Sequence, residues 1–158
     1  MRALIQRVKK AAVTVNGEKI TEIGPGLLVL FGIKEGDTEK DCQFLAEKIV
    51  NLRIMADEAG KMNLSILDIL RQSSGRSGEI LVVSQFTLYA NTSYGRRPSF
   101  IKAAKPEVAK NLYENFVEEL REFKIPVQTG KFGEYMEVEL VNDGPVTIMI
   151  ESPSTSSG

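Results

Sequence analysis

The sequence predicts one α/β domain, in which strands outnumber two long helices and pair in an antiparallel or mixed sheet. Three observations support this fold class. The chain has 158 residues, 42% of them hydrophobic, so it is long enough for one buried core and too short for two ordinary domains. A hairpin signal lies near the start of the chain. Two segments with helical spacing separate the later strands.

The first third of the chain has the pattern of β-strands. Runs at 3–7 and 11–15 precede Asn16-Gly17, which predicts a hairpin because a type I′ turn needs positive φ at both central residues. An uninterrupted apolar run at 27–33 is typical of a strand that is covered on both faces.

Two helices are predicted from capping residues and apolar spacing. Asp37 or Thr38 can cap the first helix. The second begins at Pro106, a favoured first helical residue. Because Cys42 lies on the apolar stripe of the first helix, we expect it to be a core residue and not a nucleophile.

The remaining segments divide into strands, loops and a tail. We expect strands at 80–88, 136–141 and 146–150, loops at 57–63 and 71–79, and a disordered polar tail at 152–158. The folded domain is therefore expected to span 1–151.

The residue types that are missing exclude several kinds of site. The chain has no histidine, which removes Ser-His-Asp and Cys-His catalytic arrangements and His-ligated metals. Its one cysteine excludes an intrachain disulfide framework and a Cys-rich zinc cluster. No cluster of metal ligands is evident, so we expect no metal and no other cofactor.

Charge and hydropathy limit the location and the partners. Lys and Arg total 20 against 21 for Asp and Glu, so no global positive field attracts nucleic acid, although a local patch could do so. We find no apolar stretch long enough for a transmembrane helix or a signal peptide, and the single thiol is unpaired. We therefore expect a cytoplasmic protein without a membrane partner.

The segment Ser84-Gln85-Phe86-Thr87-Leu88 is the first candidate site. It places three polar side chains at the end of an apolar strand, where burial without partners would cost stability. Two interpretations stay open. These are hydrogen-bonded structural residues, or they line a site at the end of the strand.

The segment at 142–147, which reads Asn-Asp-Gly-Pro-Val-Thr, is the second candidate. An ordinary turn between two strands explains it. Alternatively, Gly144-Pro145 can hold a cis peptide, and glycine lets the backbone approach a ligand closely, so that carbonyl oxygens become fixed acceptors.

The third candidate is the segment from Ile80 to Pro106, which contains no Asp or Glu. Its positive charges are interleaved with Tyr94 and Phe100. They are Arg96, Arg97, Lys102 and Lys105. This pattern suits a surface that meets the phosphates of a nucleic acid, and it equally suits a solvated loop.

Five motifs follow one another in a family order from Met1 to about Glu151. They are Leu4-Ile5-Gln6-Arg7-Val8, Gly60-Lys61-Met62-Asn63, Val83-Ser84-Gln85-Phe86-Thr87-Leu88, Arg97-Pro98-Ser99-Phe100 and Asn142-Asp143-Gly144-Pro145-Val146-Thr147. Together they make the chain resemble D-aminoacyl-tRNA deacylase. The motifs at 83–88 and 142–147 show no departure from the family pattern, whereas the loop at 71–79 is longer than in many relatives.

The resemblance implies an enzyme that hydrolyses the ester between a D-amino acid and the 3′ end of tRNA, and that also removes glycine from mischarged tRNA. It implies a homodimer of β-barrel-like fold with the active site at the dimer interface. Gly144 and Pro145 of one subunit, in the cis form, would act as a chiral gate in the pocket of the other. The implied pocket wall is Ser84, Gln85, Phe86 and Thr87, bordered by Arg7 and Met62.

The implied mechanism needs no histidine, because the 2′-hydroxyl of the terminal adenosine is a built-in acid/base group and the protein mainly positions substrate and water. Backbone N–H groups near Phe86 would stabilise the oxyanion. The gate carbonyls would hold the α-amino group so that an L side chain clashes. Thr87 as a nucleophile is the competing hypothesis, although no adjacent base is evident in the sequence.

Two other functions stay open. One is a non-catalytic tRNA-binding module that uses the basic stretch at 91–105. The other is a hydrolase of small esters that does not discriminate D from L. The partners we expect are aminoacyl-tRNA and a second copy of the chain, and we expect no DNA.

Overall fold

The structure is a computed structural model and describes residues 1–72 and 75–153. Within these ranges the chain forms eight strands and three α-helices. The strands are β1 (Arg2–Val15), β2 (Glu18–Ile23), β3 (Gly26–Gly32), β4 (Met55–Ala56), β5 (Met62–Leu64), β6 (Glu79–Ser84), β7 (Val127–Thr129) and β8 (Glu137–Glu151). The helices are α1 (Glu39–Asn51), α2 (Ile66–Arg71) and α3 (Pro106–Arg121), and a 3-10 helix spans Phe86–Tyr89. None of the described helices combines the length and the apolar character that a membrane span needs.

Six strands form one mixed sheet that curls toward a barrel. One edge of β1 pairs with β8, and the other edge pairs first with β3 and then with β2, all antiparallel. β6 pairs with β3, and β7 with β6, in parallel. The sheet bends so that β2 approaches β6 and β7, while β4 and β5 form a separate hairpin. The predicted fold class, a mixed barrel-like sheet with two long helices, is confirmed.

The sheet buries apolar residues on both of its faces. Leu27, Val29 and Phe31 of β3 belong to the cluster that contains the helices, whereas Leu28 belongs to a smaller cluster with other strands. Because successive side chains of a strand point to opposite faces, burial of both faces requires the continuous apolar run at 27–33. The prediction of a doubly covered strand is confirmed.

Both long helices begin where the sequence predicts. Thr38 is the N-cap of α1, and its backbone N–H donates to Asp41 Oδ2 at 2.8 Å. Pro106 is the first residue of α3. Cys42 is fully buried, and its thiol donates to the carbonyl of Leu112 in α3. The start of each helix and the core position of Cys42 are therefore confirmed.

β1 is longer than the sequence predicts. The turn at Asn16-Gly17 has positive φ at both residues, 51° and 77°, and joins β1 to β2 as expected. The expectation of two strands at 3–7 and 11–15 is wrong, because one continuous strand pairs irregularly with β8 around Val8. A bulge of this kind interrupts the alternation of the sequence without ending the ladder.

β8 is also continuous. The strands expected at 136–141 and 146–150 belong to one strand from Glu137 to Glu151. Its register shifts where Asn142 pairs with Val8 and Thr147 pairs with Gln6. The residues at 143–146 therefore face only Arg7 and form a bulge inside a strand, and not a turn between two strands.

β6 is shorter than the strand expected at 80–88. It ends at Ser84, and the chain continues as the 3-10 helix. Gln85 makes the last bond to β3, donating its N–H to the carbonyl of Phe31 at 2.8 Å. After it, the N–H of Leu88 donates to the carbonyl of Gln85 at 3.2 Å. Local bonds thus replace the ladder where the sequence changes from apolar to polar.

Several short elements were not predicted. Met62 and Asn63, expected in the loop at 57–63, belong to β5. In the loop expected at 71–79, the first residue belongs to α2 and the last to β6. The elements α2, β4, β5 and β7 span two to six residues, too few for a periodic pattern to identify them.

The tail expected at 152–158 is described only at its start. Ser152 is buried, and its N–H donates to the carbonyl of Met1 at 3.0 Å. Residues 154–158 lie outside the described residues, as do 73 and 74 of the loop expected at 71–79.

Candidate active site

An open cavity of about 830 Å³ lies at the carboxyl end of β6. Parts of three segments line it: 83–87 after β6, 100–109 at the start of α3, and 132–138 before and within β8. The cavity has the size of a typical small-molecule site.

The four residues predicted as the pocket wall, Ser84 to Thr87, all line this cavity. Ser84 and Gln85 are half-buried, whereas Phe86 and Thr87 are exposed. Gln85 Nε2 donates to Thr87 Oγ1 and orients the hydroxyl. Because Phe86 and Thr87 begin the 3-10 helix, their backbone N–H groups have no partner within that helix. The segment that lines the cavity therefore contains both side-chain and backbone donors.

Aromatic rings form much of the apolar surface of the cavity. The side chain of Phe86, 55% exposed, packs edge-on against Phe100, with ring centroids 5.0 Å apart. Phe132 lines another part of the wall and contacts the ring of Tyr113 in α3. An exposed ring that a second ring holds in place offers a fixed flat surface to a planar ligand.

Sequence reasoning missed the segment at 132–136, which also lines the cavity. It includes Glu134 and Tyr135, and the tyrosine is 86% exposed. A signal was present, because the chain between α3 and β8 reads Gly-Lys-Phe-Gly-Glu-Tyr at 130–135. Glycines beside aromatic residues, outside any periodic pattern, indicate a shaped loop.

The bulge at 143–146 is held by Arg7. Its Nε donates to the carbonyl of Asp143 at 3.0 Å, and its Nη1 donates to the carbonyl of Ile54 at 2.7 Å. At the base of the bulge, Asn142 Nδ2 donates to Thr147 Oγ1 at 2.9 Å. The guanidinium thereby ties the bulge to the chain that enters the β4–β5 hairpin.

Gly144 occupies a position that only glycine fits. Its φ is +131°, and a Cβ there would lie 2.9 Å from Arg7 Nη2 and 2.9 Å from Val146 Cγ2. The peptide between Gly144 and Pro145 is cis. Both residues are exposed, and neither lines the cavity of its own chain.

The predicted site residues thus fall into two groups. Ser84 to Thr87 form the wall of the cavity, whereas Arg7, Gly144 and Pro145 form the bulge. Met62 is 58% exposed on β5, in the hairpin that follows Ile54, and it does not line the cavity. One chain alone does not bring the two groups together in this cavity.

The basic residues predicted to bind tRNA are all exposed. They are Arg96, Arg97, Lys102 and Lys105. Asn91 and Ser99 exchange two backbone hydrogen bonds, of 2.8 and 2.9 Å, and so close the loop at 92–98 that carries the two arginines. Lys105 lines the cavity immediately before the first residue of α3.

The Thr87 hydroxyl lies at the cavity, whereas the Cys42 thiol lies in the core. The partner of the Thr87 hydroxyl is an amide and not a carboxylate. Burial raises the pKa of the Cys42 thiol to about 12, so the thiol stays neutral in its core position. In the part of the chain that the structure describes, no group of Cys, Asp and Glu side chains is arranged to hold a metal ion.

Comparison with known proteins gives consistent matches over nearly the full chain. The family model described as D-Tyr-tRNA(Tyr) deacylase matches residues 4–151. A D-aminoacyl-tRNA deacylase of Carboxydothermus hydrogenoformans is 53% identical, with 96% of this chain and 99% of the relative covered. One of Thermosipho melanesiensis is 56% identical, with coverage of 96% and 97%.

Two solved structures are similar as well. The first, titled "c-Myc DNA Unwinding Element Binding Protein", has a TM-score of 0.86 and 44% identity, and covers 97% of this chain and 99% of that chain. The second, titled as a probable eukaryotic D-amino acid tRNA deacylase, has a TM-score of 0.79 and coverage of 95% and 98%. At 17% identity, the second supports the fold alone.

Proposed function

Since the chain belongs to the D-Tyr-tRNA(Tyr) deacylase family and is a hydrolase of the aminoacyl-tRNA ester, we propose that it binds the aminoacylated 3′ end of tRNA in the cavity beside Ser84–Thr87 and spares L-aminoacyl-tRNA. The observation that carries the proposal is the position of these four residues in the wall of an 830 Å³ cavity. In this proposal the protein acts in the cytoplasm, where its tRNA substrate is found.

The cavity suits the terminal adenosine of the substrate. The exposed ring of Phe86, supported by Phe100, provides an apolar surface for the adenine. Lys105 at the cavity and the exposed Arg96 and Arg97 provide positive charge for the preceding phosphates. Lys102 is exposed as well and carries a fourth positive charge in this segment. Such contacts supply affinity for any tRNA without reading its sequence.

In this proposal the protein catalyses hydrolysis mainly by positioning the substrate and the attacking water. The chain contains no histidine, and the substrate's own 2′-hydroxyl is the nearest acid/base group to the ester. The N–H groups of Phe86 and Thr87 at the start of the 3-10 helix stabilise the oxyanion. Thr87, hydrogen-bonded to Gln85, orients the substrate or the attacking water and does not form an acyl-enzyme.

Chiral selection requires a second copy of the chain. Gly144 and Pro145 are exposed and lie outside the cavity of their own chain, so they act as a gate only by entering the cavity of a partner. Arg7 fixes the adjacent carbonyl of Asp143. In a homodimer the gate carbonyls hold the α-amino group, an L side chain clashes with the bulge, and a D side chain points away from it.

Glycyl-tRNA is then a substrate as well. Glycine has no side chain, so it meets no clash in either orientation, and rejection by exclusion does not act on it. No second site is needed for this activity.

The test is hydrolysis of D-tyrosyl-tRNA, L-tyrosyl-tRNA and glycyl-tRNA by the purified protein. We expect cleavage of the D and glycyl esters with the L ester spared. Equal cleavage of D and L would keep the hydrolase and refute the gate. Binding of tRNA without any cleavage would favour a non-catalytic tRNA-binding module.

A variant of the bulge tests the gate itself. In Gly144→Ala the new Cβ conflicts with Arg7 and Val146, so the bulge must move. We expect the ratio of D to L cleavage to fall while the thermal midpoint changes little, because the residue is exposed. Asn16→Ala, in the distant β1–β2 turn, is the control for a general effect of placing alanine at a positive φ. An unchanged ratio in Gly144→Ala would contradict the gate.

A further inference from the structure

The loop at 92–98 carries a residue that none of the roles above uses. Tyr94 is 84% exposed, although tyrosine ordinarily buries most of its ring. It stands two residues before Arg96 and three before Arg97, in a segment without Asp or Glu. An aromatic ring presented to solvent beside positive charge is the composition of a platform for single-stranded nucleic acid.

The loop that presents Tyr94 is held in shape. Asn91 and Ser99 exchange two backbone hydrogen bonds, which close the loop at its base. Within it, the side chain of Asn91 accepts from the N–H of Ser93 at 2.9 Å. A ring on a loop that hydrogen bonds hold in shape loses less conformational entropy on binding than a ring on a flexible loop.

The loop also adjoins the cavity. Ser99, at its base, is followed directly by Phe100, which lines the cavity and contacts Phe86. Phe100 is six positions after Tyr94, so their Cα atoms lie at most about 22 Å apart. A single strand whose last nucleotide is in the cavity reaches Tyr94 within a few nucleotides.

We propose that Tyr94 is a base-stacking residue that binds the unpaired nucleotides next to the terminal adenosine of tRNA. The inference rests on the proposed function, because it places the last nucleotide in the cavity. Tyr94 supplies stacking, and Arg96 and Arg97 supply charge to the adjoining phosphates. Recognition is tolerant of base identity, because every base has a face that can stack.

The test measures binding of two uncharged RNA hairpins, one ending in an unpaired CCA tail and one with a blunt end. We expect Tyr94→Ala to raise Kd for the tailed hairpin about 5-fold or more, the effect of losing one stacked base, and to leave Kd for the blunt hairpin unchanged. Tyr94→Phe keeps the ring and binds as the wild type does. Phe44→Ala, which removes an exposed ring from α1, is the matched control and changes neither value.

Salt dependence separates stacking from charge. Arg97→Gln is expected to reduce the slope of log Kd against log salt by about one, whereas Tyr94→Ala leaves the slope unchanged. Equal effects of Tyr94→Ala on both hairpins, or none on either, would overturn the inference. A different oligomeric state of Tyr94→Ala in solution would also overturn it, since the ring would then belong to a contact between copies of the chain.

Hydrolysis is measured on the same proteins to keep the two proposals apart. Tyr94→Ala is expected to lower kcat/KM for D-tyrosyl-tRNA and not for the D-tyrosyl ester of adenosine alone, which has no preceding nucleotides. Absence of cleavage of both esters by the wild type would refute the proposed function, while the hairpin result would still decide the role of Tyr94.

Discussion

Arg2 and Leu88 are joined by a hydrogen bond of 2.7 Å, from Arg2 Nη1 to the carbonyl of Leu88. Arg2 lies at the start of β1, and Leu88 lies in the 3-10 helix that carries Phe86 and Thr87. The same guanidinium lies over the ring of Tyr89, 4.6 Å from its centroid, and its Nε donates to Glu151 at 2.8 Å. A residue outside the cavity thus fixes the helix that forms the cavity wall.

Arg2 is therefore expected to act as a positioning residue. Arg2→Lys keeps the charge but cannot bind the Leu88 carbonyl and Glu151 together, because lysine lacks the planar fork. We expect a several-fold lower kcat with KM for tRNA nearly unchanged, measured under single-turnover conditions. Glu151→Gln removes the ion pair and leaves the bond to Leu88, so its kcat should remain near the wild-type value. Equal losses in the two variants, or a loss only in thermal midpoint, would assign Arg2 a structural role.

Arg7 is expected to control discrimination and not the rate of cleavage. Arg7→Lys loses one of the two bonds to the carbonyls of Asp143 and Ile54. Because a hydrogen bond to a charged group contributes ~1.5–3 kcal/mol, we expect the ratio of D to L cleavage to fall about tenfold or more. Lys9→Ala, an exposed basic residue on the same strand, is the control. A preserved ratio in Arg7→Lys would show that the bulge keeps its shape without the second bond.

Thr87 is expected to orient and not to attack. Thr87→Ala removes one neutral hydrogen bond, with Gln85, so kcat should stay within about tenfold of the wild-type value, given ~0.5–1.5 kcal/mol for such a bond. Rates with D-tyrosyl-tRNA and a mass-spectrometric search for an acyl-enzyme check this. A loss of several orders of magnitude with tRNA binding intact, restored by Thr87→Ser, would identify a nucleophile.

Cys42 is expected to make the protein less stable at alkaline pH. Burial raises the pKa of its thiol from 9.0 to about 12, so above pH 9 the unfolded chain loses a proton that the folded chain keeps. The contribution of Cys42 to the free energy of unfolding should therefore be level below pH 9 and fall above it, by ~1.4 kcal/mol per pH unit. Burial also raises the pKa of Tyr89 and of Tyr113, which adds to the fall from about pH 10.

Urea unfolding at pH 7, 8, 9 and 10 checks this dependence. Cys42→Ala is expected to be less stable at pH 7 and to lose less stability between pH 9 and 10. In the native wild type the thiol should react with a disulfide reagent far more slowly than in urea. Rapid reaction of the native thiol at pH 8 would contradict the raised pKa.

Features that depend only on neighbouring residues could be predicted from the sequence. Asn16-Gly17 specifies its turn because both residues accept positive φ, and Pro106 begins α3 because its fixed φ and missing N–H suit the first helical turn. The doubly buried run at 27–33 follows from residue type alone. The absence of histidine is a property of composition, so it limits the available chemistry however the chain folds.

Features that depend on contacts between residues far apart in the chain could not be predicted in this way. Whether β1 continues past Val8, and whether 143–146 is a turn or a bulge, is set by the pairing of β1 with β8, more than a hundred residues away. Register between distant strands leaves no local periodicity for a sequence pattern to reveal. The cavity likewise combines 83–87, 100–109 and 132–138. The sequence identifies Ser84–Thr87 and Gly144-Pro145 as candidates. Only the packing of the sheet places the first group in a cavity and the second outside it.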